Sequence, residues 1–489
     1  MHSTAKSTAG TVLPSNRDLY YGGSWHQPAG GYLDTFNPAT GENLGRCAEA
    51  NAADVDAAVR AAHRAFLAWR ATRPGERSAL LRQVAGILRA HAEELALLDS
   101  INCGNPVREM LRDVTTAAEV LEFCAGLVTE VKGETTPVGA GELNMSIREP
   151  YGVVARIVAY NHPLMFTAGK IGAALAVGNT VLMKPPSQAP LSSYRLMELI
   201  GDIVPPGVIN VITAGRAGSE ALVEHPQVPR ISLIGSVPTG RAIARAGANR
   251  LKHVTLELGG KNACIVYPDA DLDRAAQAAV DGMNFTWCGQ SCGSTSRLFL
   301  HDDIHDEVLA RVVACVRHYR PGIPTDMETT MGAIISAEQF DKIMAYIRLA
   351  QEEGARLLCG GKRPSDPGLA DGWFVEPTVF ADVRQSMRIA REEVFGPVLS
   401  VIRWNDESTM LDEVNQVEYG LTSSIWTSDL AAGCRAATCV ETGSVWINGT
   451  ATHYNGAPFG GYKQSGIGRE ESLEELLSFT QVKNISMRF

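Results

Sequence analysis

Long apolar runs are missing from this sequence. No stretch approaches the ~18 uninterrupted apolar residues that a membrane-spanning helix needs, which excludes such a span. Cysteine is sparse, with 10 in 489 residues, scattered rather than spaced in pairs. That excludes a disulfide scaffold, so the thiols read as reduced and the expected location is the cytoplasm. An excess of basic charge is also missing. Lys and Arg total 44 against 54 Asp and Glu, a formal net charge of −10. Neither nucleic acid nor an anionic membrane is therefore expected as the main partner. Residues Met1–Pro14 are rich in Ser, Thr and Ala, with a single Lys and no apolar core. No targeting signal is expected there, and roughly the first dozen residues are expected to be disordered. No internal repeat and no low-complexity tract is present.

What is there reads as an ordinary globular chain. Hydrophobic residues make up 45% and charged residues 20%, and the length suggests about three domains. Apolar residues recur at helical spacing over Asn51–Leu98 and again over Glu109–Val131, with Asp54 and Glu76 as first-turn carboxylates. Gly, Thr and Pro between Gly133 and Gly141 break the pattern. From Gly152 short β-branched runs alternate with helical ones. Val153–Val158, Thr180–Met183, Val208–Ile212, Arg230–Ile234 and Val254–Leu258 read as strands, with helices starting near Ala168, Leu191, Ala217 and Gly240. This predicts an α/β fold with a parallel sheet that binds its ligands at the carboxyl ends of the strands. A second alternating region, from Ala263 to Asn448, predicts a second α/β domain. The tail from Leu476 to Phe489 reads as one late strand.

The strand ends carry the candidate chemistry. Asn161, ahead of Pro163, can present an amide at the binding edge, although a turn-forming Asn is the commoner meaning. Lys184 suits a ribose hydroxyl or a phosphate, yet most lysines are simply solvated. Gly235 and Gly240 precede a helix N-terminus and allow close approach of an anion, but this is neither a G-x-G-x-x-G fingerprint nor a Walker loop. Glu257 ends a strand among apolar residues, where burial can raise its pKa toward that of a useful base. Cys292 lies in a polar, Gly-flanked loop before a strand, unlike a buried structural cysteine. Cys288, four residues earlier, is either packing or a redox partner of Cys292.

The order and spacing of these elements resemble the aldehyde dehydrogenase superfamily. The resemblance runs from about Asn37 to Phe489. It is carried by Phe36-Asn37-Pro38-Ala39-Thr40-Gly41, Tyr160-Asn161-His162-Pro163, Lys184-Pro185, Gly235-Ser236, Glu257-Leu258-Gly259-Gly260-Lys261, Gly289-Gln290-Ser291-Cys292, Glu392 to Pro397 and Pro458 to Gly466. It implies a Rossmann-type coenzyme domain over 1–128 and 150–260, a catalytic domain over 261–464, and a small β oligomerisation element over 129–149 and 465–489. A homodimer or homotetramer follows. The resemblance makes Cys292 the nucleophile, Asn161 an oxyanion donor and Glu257 the general base that hydrolyses a thioester. It puts Lys184 on the adenosine ribose, Gly235 and Ser236 at the pyrophosphate, Glu393 on the nicotinamide ribose and Phe395 against the nicotinamide. Lys170, Glu470 and Asn448 fall on positions that support the site or a proton path. The cofactor is NAD or NADP, and no catalytic metal is expected.

Departures from the family pattern carry their own expectations. NAD-preferring members usually have a Glu where this chain has Ser187. A carboxylate there would repel a 2′-phosphate, so NADP is expected to be accepted. Substrate-tunnel positions fall on Tyr160, His162, Phe166, Phe285, Trp287, His453 and Tyr454, a lining that suits an aromatic or medium-sized aldehyde. Gly293-Ser294-Thr295-Ser296-Arg297 is ordinary for hydrolytic members, so the acid rather than an acyl-CoA is the expected product. Alternatives are a semialdehyde dehydrogenase of the same family, a cysteine hydrolase, for which no His lies near Cys292 in sequence, and a catalytically silent member.

Overall fold

Side-chain caps decide where the N-terminal helices start. The computed structural model describes residues 13–489, and the disorder expected of the first dozen residues lies outside them. Asn51 accepts from the N–H groups of Ala53 and Asp54, and the Asp54 carboxylate accepts from Asn51 N at 3.0 Å. This reciprocal capping box satisfies donors that a helix start leaves free. Glu76 accepts from Arg73 N in the same way. The long helical pattern over Asn51–Leu98 is in fact three helices, Ala52–Trp69, Pro74–Ala90 and Ala92–Cys103. Pro74 is the reason for the first break, because proline fits a first turn but cannot continue a helix. The next helix spans Val107–Gly126 behind Pro106, slightly earlier than the pattern indicates.

The strand–helix alternation builds two sheets. The first has eight strands in the order Ser24–His26, Leu19–Tyr21, Ile209–Val211, Thr180–Lys184, Val153–Ile157, Arg230–Ile234, His253–Glu257 and Gly466–Ile467. Its five central strands are parallel. The parallel run starts in the middle at Val153, builds outward in one direction, then returns to build the other way. That reversal opens a crevice at the carboxyl ends. The second sheet has seven strands in the order Arg356–Cys359, Thr378–Ala381, Val398–Trp404, Arg297–His301, Ala263–Val266, Thr422–Trp426 and Ser444–Ile447, parallel apart from the first. Thr135–Thr136, Glu142–Pro150 and Thr480–Arg488 form a separate three-stranded sheet. No helix among the described residues is long and apolar enough to cross a membrane.

Several elements escape the sequence pattern. Four short strands lie between Leu19 and Ala48. Tyr32–Phe36 is mostly exposed, so it shows no apolar alternation. The helix expected near Ala168 begins as a wide π turn, Met165–Gly169, before Gly172–Ala176. The late strand expected over Leu476–Phe489 is present as Thr480–Arg488, and its first residues belong instead to the helix Leu473–Ser478.

A buried charge cluster binds that tail to the first sheet. Arg156, on the central strand, is 1% exposed and reaches Glu470 at 3.6 Å and Glu475 at 3.5 Å. Lys170 Nζ is 2.8 Å from the other Glu470 oxygen. The guanidinium also lies over the Phe479 ring, 5.3 Å from its centre, and Asn179 donates to Phe479 O at 2.9 Å. Removing one partner of such a cluster strands a charge in a dry interior. Arg156→Met should therefore lower stability by about 3–5 kcal/mol in urea titration. Replacing the solvated Arg216, paired with Glu220 on a helix surface, should leave the midpoint unchanged.

Candidate active site

Glu257 is the last residue of its strand, and the register fixes it on both sides. It pairs with Ile234 across the parallel ladder and with Gly466 across the antiparallel one. Its side chain is 5% exposed, and Oε1 has no protein partner. Burial pushes its pKa up to about 8, against the lowering effect of the neighbouring Cys292 thiol. The Cys292 thiol is pushed well above its usual value, first by burial and then by the charge of Glu257. The Glu257 charge thus makes ionisation of the thiol harder, while the thiol eases that of the carboxyl.

Cys292 is held by its backbone. Asn262 Nδ2 donates to Cys292 O at 2.7 Å and to Ser294 O at 3.0 Å, while its Oδ1 accepts from Thr422 N at 3.0 Å. Gly260 leaves the room this needs: a Cβ there would lie 2.7 Å from Cys292 O. Asn161 follows the central strand of the first sheet and is buried, and its carbonyl accepts from Asn105 Nδ2 at 2.8 Å. Cys288 faces elsewhere. It is fully buried in the core beside Met331 and Ile334, and burial pushes its thiol up to about 12. The four-residue spacing therefore does not by itself make a redox pair with Cys292, which opens on a cavity.

That cavity has a volume of about 1160 Å³ and brings together Cys292, Glu257, Lys170 and Glu470 with His162, Phe166, Phe285, Trp287 and His453. Two expected tunnel residues are not part of its lining. Tyr160 turns edge-on to Phe395, with ring centres 5.9 Å apart, and Tyr454 is exposed. His453 is paired with Glu471 at 3.0 Å and packs on Phe459. Burial alone would raise the Glu470 carboxyl, but Lys170 and Arg156 hold it below its usual value. Lys170 stays protonated despite burial because Glu470 and Glu475 face it.

The other candidates line the carboxyl edge of the first sheet. Lys184 ends its strand with no carboxylate partner among the described residues, and burial pushes its amine down to about 8. Ser187 Oγ donates to Ala214 O at 3.1 Å. Gly235 leads into Ser236, which caps the helix Val237–Ala248. Gly240 packs against Leu258, where a Cβ would come within 2.7 Å of a methyl carbon. Glu393 Oε1 accepts from Gly260 N at 2.9 Å, and Phe395 has a positive φ of 53°. A cationic side chain, a helix start and Gly-lined approaches together fit a dinucleotide. Asn448 is not at the site: its amide braces Thr427 through two hydrogen bonds.

Three residues with a hand in the site escape the sequence reading: Asn262, Asn105 and Asp113. Asp113 left a trace, since it is an acid on the apolar face of its helix between Met110 and Val114. Asn262 and Asn105 act on backbone carbonyls and leave no periodic signal.

Comparison with known proteins agrees with this geometry. The model of the aldehyde dehydrogenase family matches residues 25–485. Aldehyde dehydrogenase tropH of Talaromyces stipitatus is 50% identical over 484 residues, covering 97% of this chain and 94% of that protein. Among solved structures, PnpE from Pseudomonas sp. WBC-3 is 42% identical, with a TM-score of 0.94 and coverage of 97% of this chain and 98% of that one. The indole-3-acetaldehyde dehydrogenase AldA of P. syringae, solved with NAD+, is 34% identical, with a TM-score of 0.96 and 99% coverage of each chain. A family match over nearly the whole length, joined to a thiol and a carboxyl meeting beside a dinucleotide edge, leads to one conclusion: the chain belongs to the aldehyde dehydrogenase family and is an NAD(P)-dependent aldehyde dehydrogenase.

Proposed function

We propose that the chain oxidises an aromatic or medium-sized aldehyde to its carboxylic acid through a thioester on Cys292. The observation that carries this reading is that the Cys292 thiol and the Glu257 carboxyl line one cavity. The Cys292 sulfur, as the thiolate, attacks the aldehyde carbon to give a tetrahedral thiohemiacetal. The Asn161 amide and the Cys292 N–H hold the oxyanion. Bound dinucleotide supplies the hydride acceptor. Glu257 then takes a proton from the water that hydrolyses the thioester. Lys170 and Glu470, ion-paired on the same cavity wall, carry that proton away. Lys184, Ser187, Gly235, Ser236, Glu393 and Phe395 would hold the dinucleotide.

The reading includes a coenzyme domain over 1–128 and 150–260, a catalytic domain over 261–464, and an oligomerisation element over 129–149 and 465–489 that would build a homodimer or homotetramer. Its strand Thr480–Arg488 lies at the sheet edge and offers unpaired backbone groups to a second copy. The aromatic lining supports the substrate class. A semialdehyde substrate would need a cation for its carboxylate, and on the cavity wall Arg108 and Arg112 share the one Glu109 carboxylate.

The direct test is an aldehyde panel with NAD and NADP, followed by the absorbance of the reduced nicotinamide. Neither a cysteine hydrolase nor a silent protein gives a signal. Cys292→Ala should bind cofactor without reducing it, and Glu257→Gln should release about one equivalent of reduced cofactor per site and then stall, as expected when acylation outlives its base. Glu257 must be ionised to act, so steady-state turnover should rise with pH through about 8; a profile already flat above pH 6 would remove Glu257 from this role. With no carboxylate beside Lys184, kcat/KM for NADP should equal or exceed that for NAD, and a strong preference for NAD in the same assay would refute it.

A further inference from the structure

The helix Val107–Gly126 turns Met110, Val114, Ala117 and Leu121 inward, yet Asp113 shares that face with only 4% of its surface exposed. A carboxylate in such a place needs a partner. It has His162, whose Nδ1 lies 2.8 Å from Asp113 Oδ2. Phe166 stands against the imidazole at 5.3 Å and Trp287 at 5.5 Å, so the ring is held from several sides. All four residues line the cavity that contains Cys292. No described residue hydrogen-bonds Nε2, and the side chain keeps 15% of its surface open. Neighbouring acids are engaged elsewhere: Glu109 with Arg108 and Arg112, and Asp99 with Leu164 N at 2.9 Å.

The tautomer follows from the partner. A carboxylate on Nδ1 accepts the ring proton there, so the neutral imidazole presents the Nε2 lone pair to the cavity. We propose that His162, positioned by Asp113, determines substrate specificity by accepting a hydrogen bond from a hydroxyl group on the aldehyde. This rests on the reading that the cavity receives the aldehyde. A bare hydrocarbon at that place leaves Nε2 desolvated and unpaired, and a site with an unpaired polar group discriminates strongly. An ether offers no proton, and a carboxylate would face the lone pair and, behind it, Asp113.

The test compares kcat/KM for 3- and 4-hydroxybenzaldehyde with their methoxy and carboxy counterparts, and for 6-hydroxyhexanal with hexanal. At least one hydroxy aldehyde should exceed its matched partner by about tenfold or more, mostly through KM, the scale of one buried hydrogen bond. His162→Phe should bring that ratio close to one. Asp113→Asn, which lets the ring take either tautomer, should lower the ratio with His162 still present. Ratios cancel any general loss of activity, and the wild-type ratios need no variant. Equal use of hydroxy and methoxy aldehydes, a preference for the carboxylate, or an unchanged ratio in His162→Phe would overturn the role of His162 alone. Absence of any aldehyde oxidation with either cofactor would overturn the proposed function as well.

Discussion

One short connection, Leu258–Asn262, joins the two large sheets, and the geometry of the site depends on it. Glu257 ends the first sheet just before it, and Ala263 starts the second just after. Asn262 reaches across to the carbonyl of Cys292, so the thiol is indexed to the same few peptide units as the carboxyl. The connection is itself pinned. Leu258 N donates to Ser465 O at 2.9 Å, and Ser465 Oγ donates to Gly259 O at 2.7 Å. Reacting groups placed by rigid elements keep their geometry without reordering at the moment of reaction. A side chain at Gly259 would collide with the Glu393 carboxylate, so the same peptide also sets where that acid can stand.

The buried charges obey one rule at different strengths. Around Arg156 cations face carboxylates: Lys170 and Arg156 hold Glu470 below its usual value, while burial pushes Glu475 up. Cys292 and Glu257 lie on the same cavity, where burial raises both and no cation offsets it as strongly, so they tend to keep their protons. The ion-paired wall and the proton-holding pair are neighbours through Glu470, whose charge helps raise Glu257. Storage of a proton at one end and fixed charges at the other is a polarised arrangement well suited to moving that proton outward.

Both parallel sheets were legible in the sequence because central strands are buried on both faces and read as unbroken β-branched runs. Arg230–Ile234 is an example, with every residue buried. Edge strands such as Ser24–His26 are half solvated and carry no such signature. The same contrast holds in the site. Glu257 and Cys292 stood out by residue type and by their flanking glycines, because they work through their side chains. Asn262 and Asn105 work on other residues' carbonyls, and Tyr160 and Tyr454 were assigned to the cavity by position. Which way a ring turns is set by packing partners, such as Phe395 for Tyr160, and those are distant in the chain.

The far C-terminal segment does more than close a sheet. Gly466 pairs with Glu257, Glu470 grips Lys170, Phe479 holds Asn179, and Thr480–Arg488 pairs with Glu142–Pro150. These contacts span some of the greatest separations along the chain, so their loop-closure cost falls late. A nascent chain emerging from the ribosome would expose the first sheet's open edge and half of the Lys170–Glu470 pair until the last residues arrived. An active molecule therefore forms only once residues 466–488 have joined the first sheet, and before that its open edge is exposed to wrong pairing.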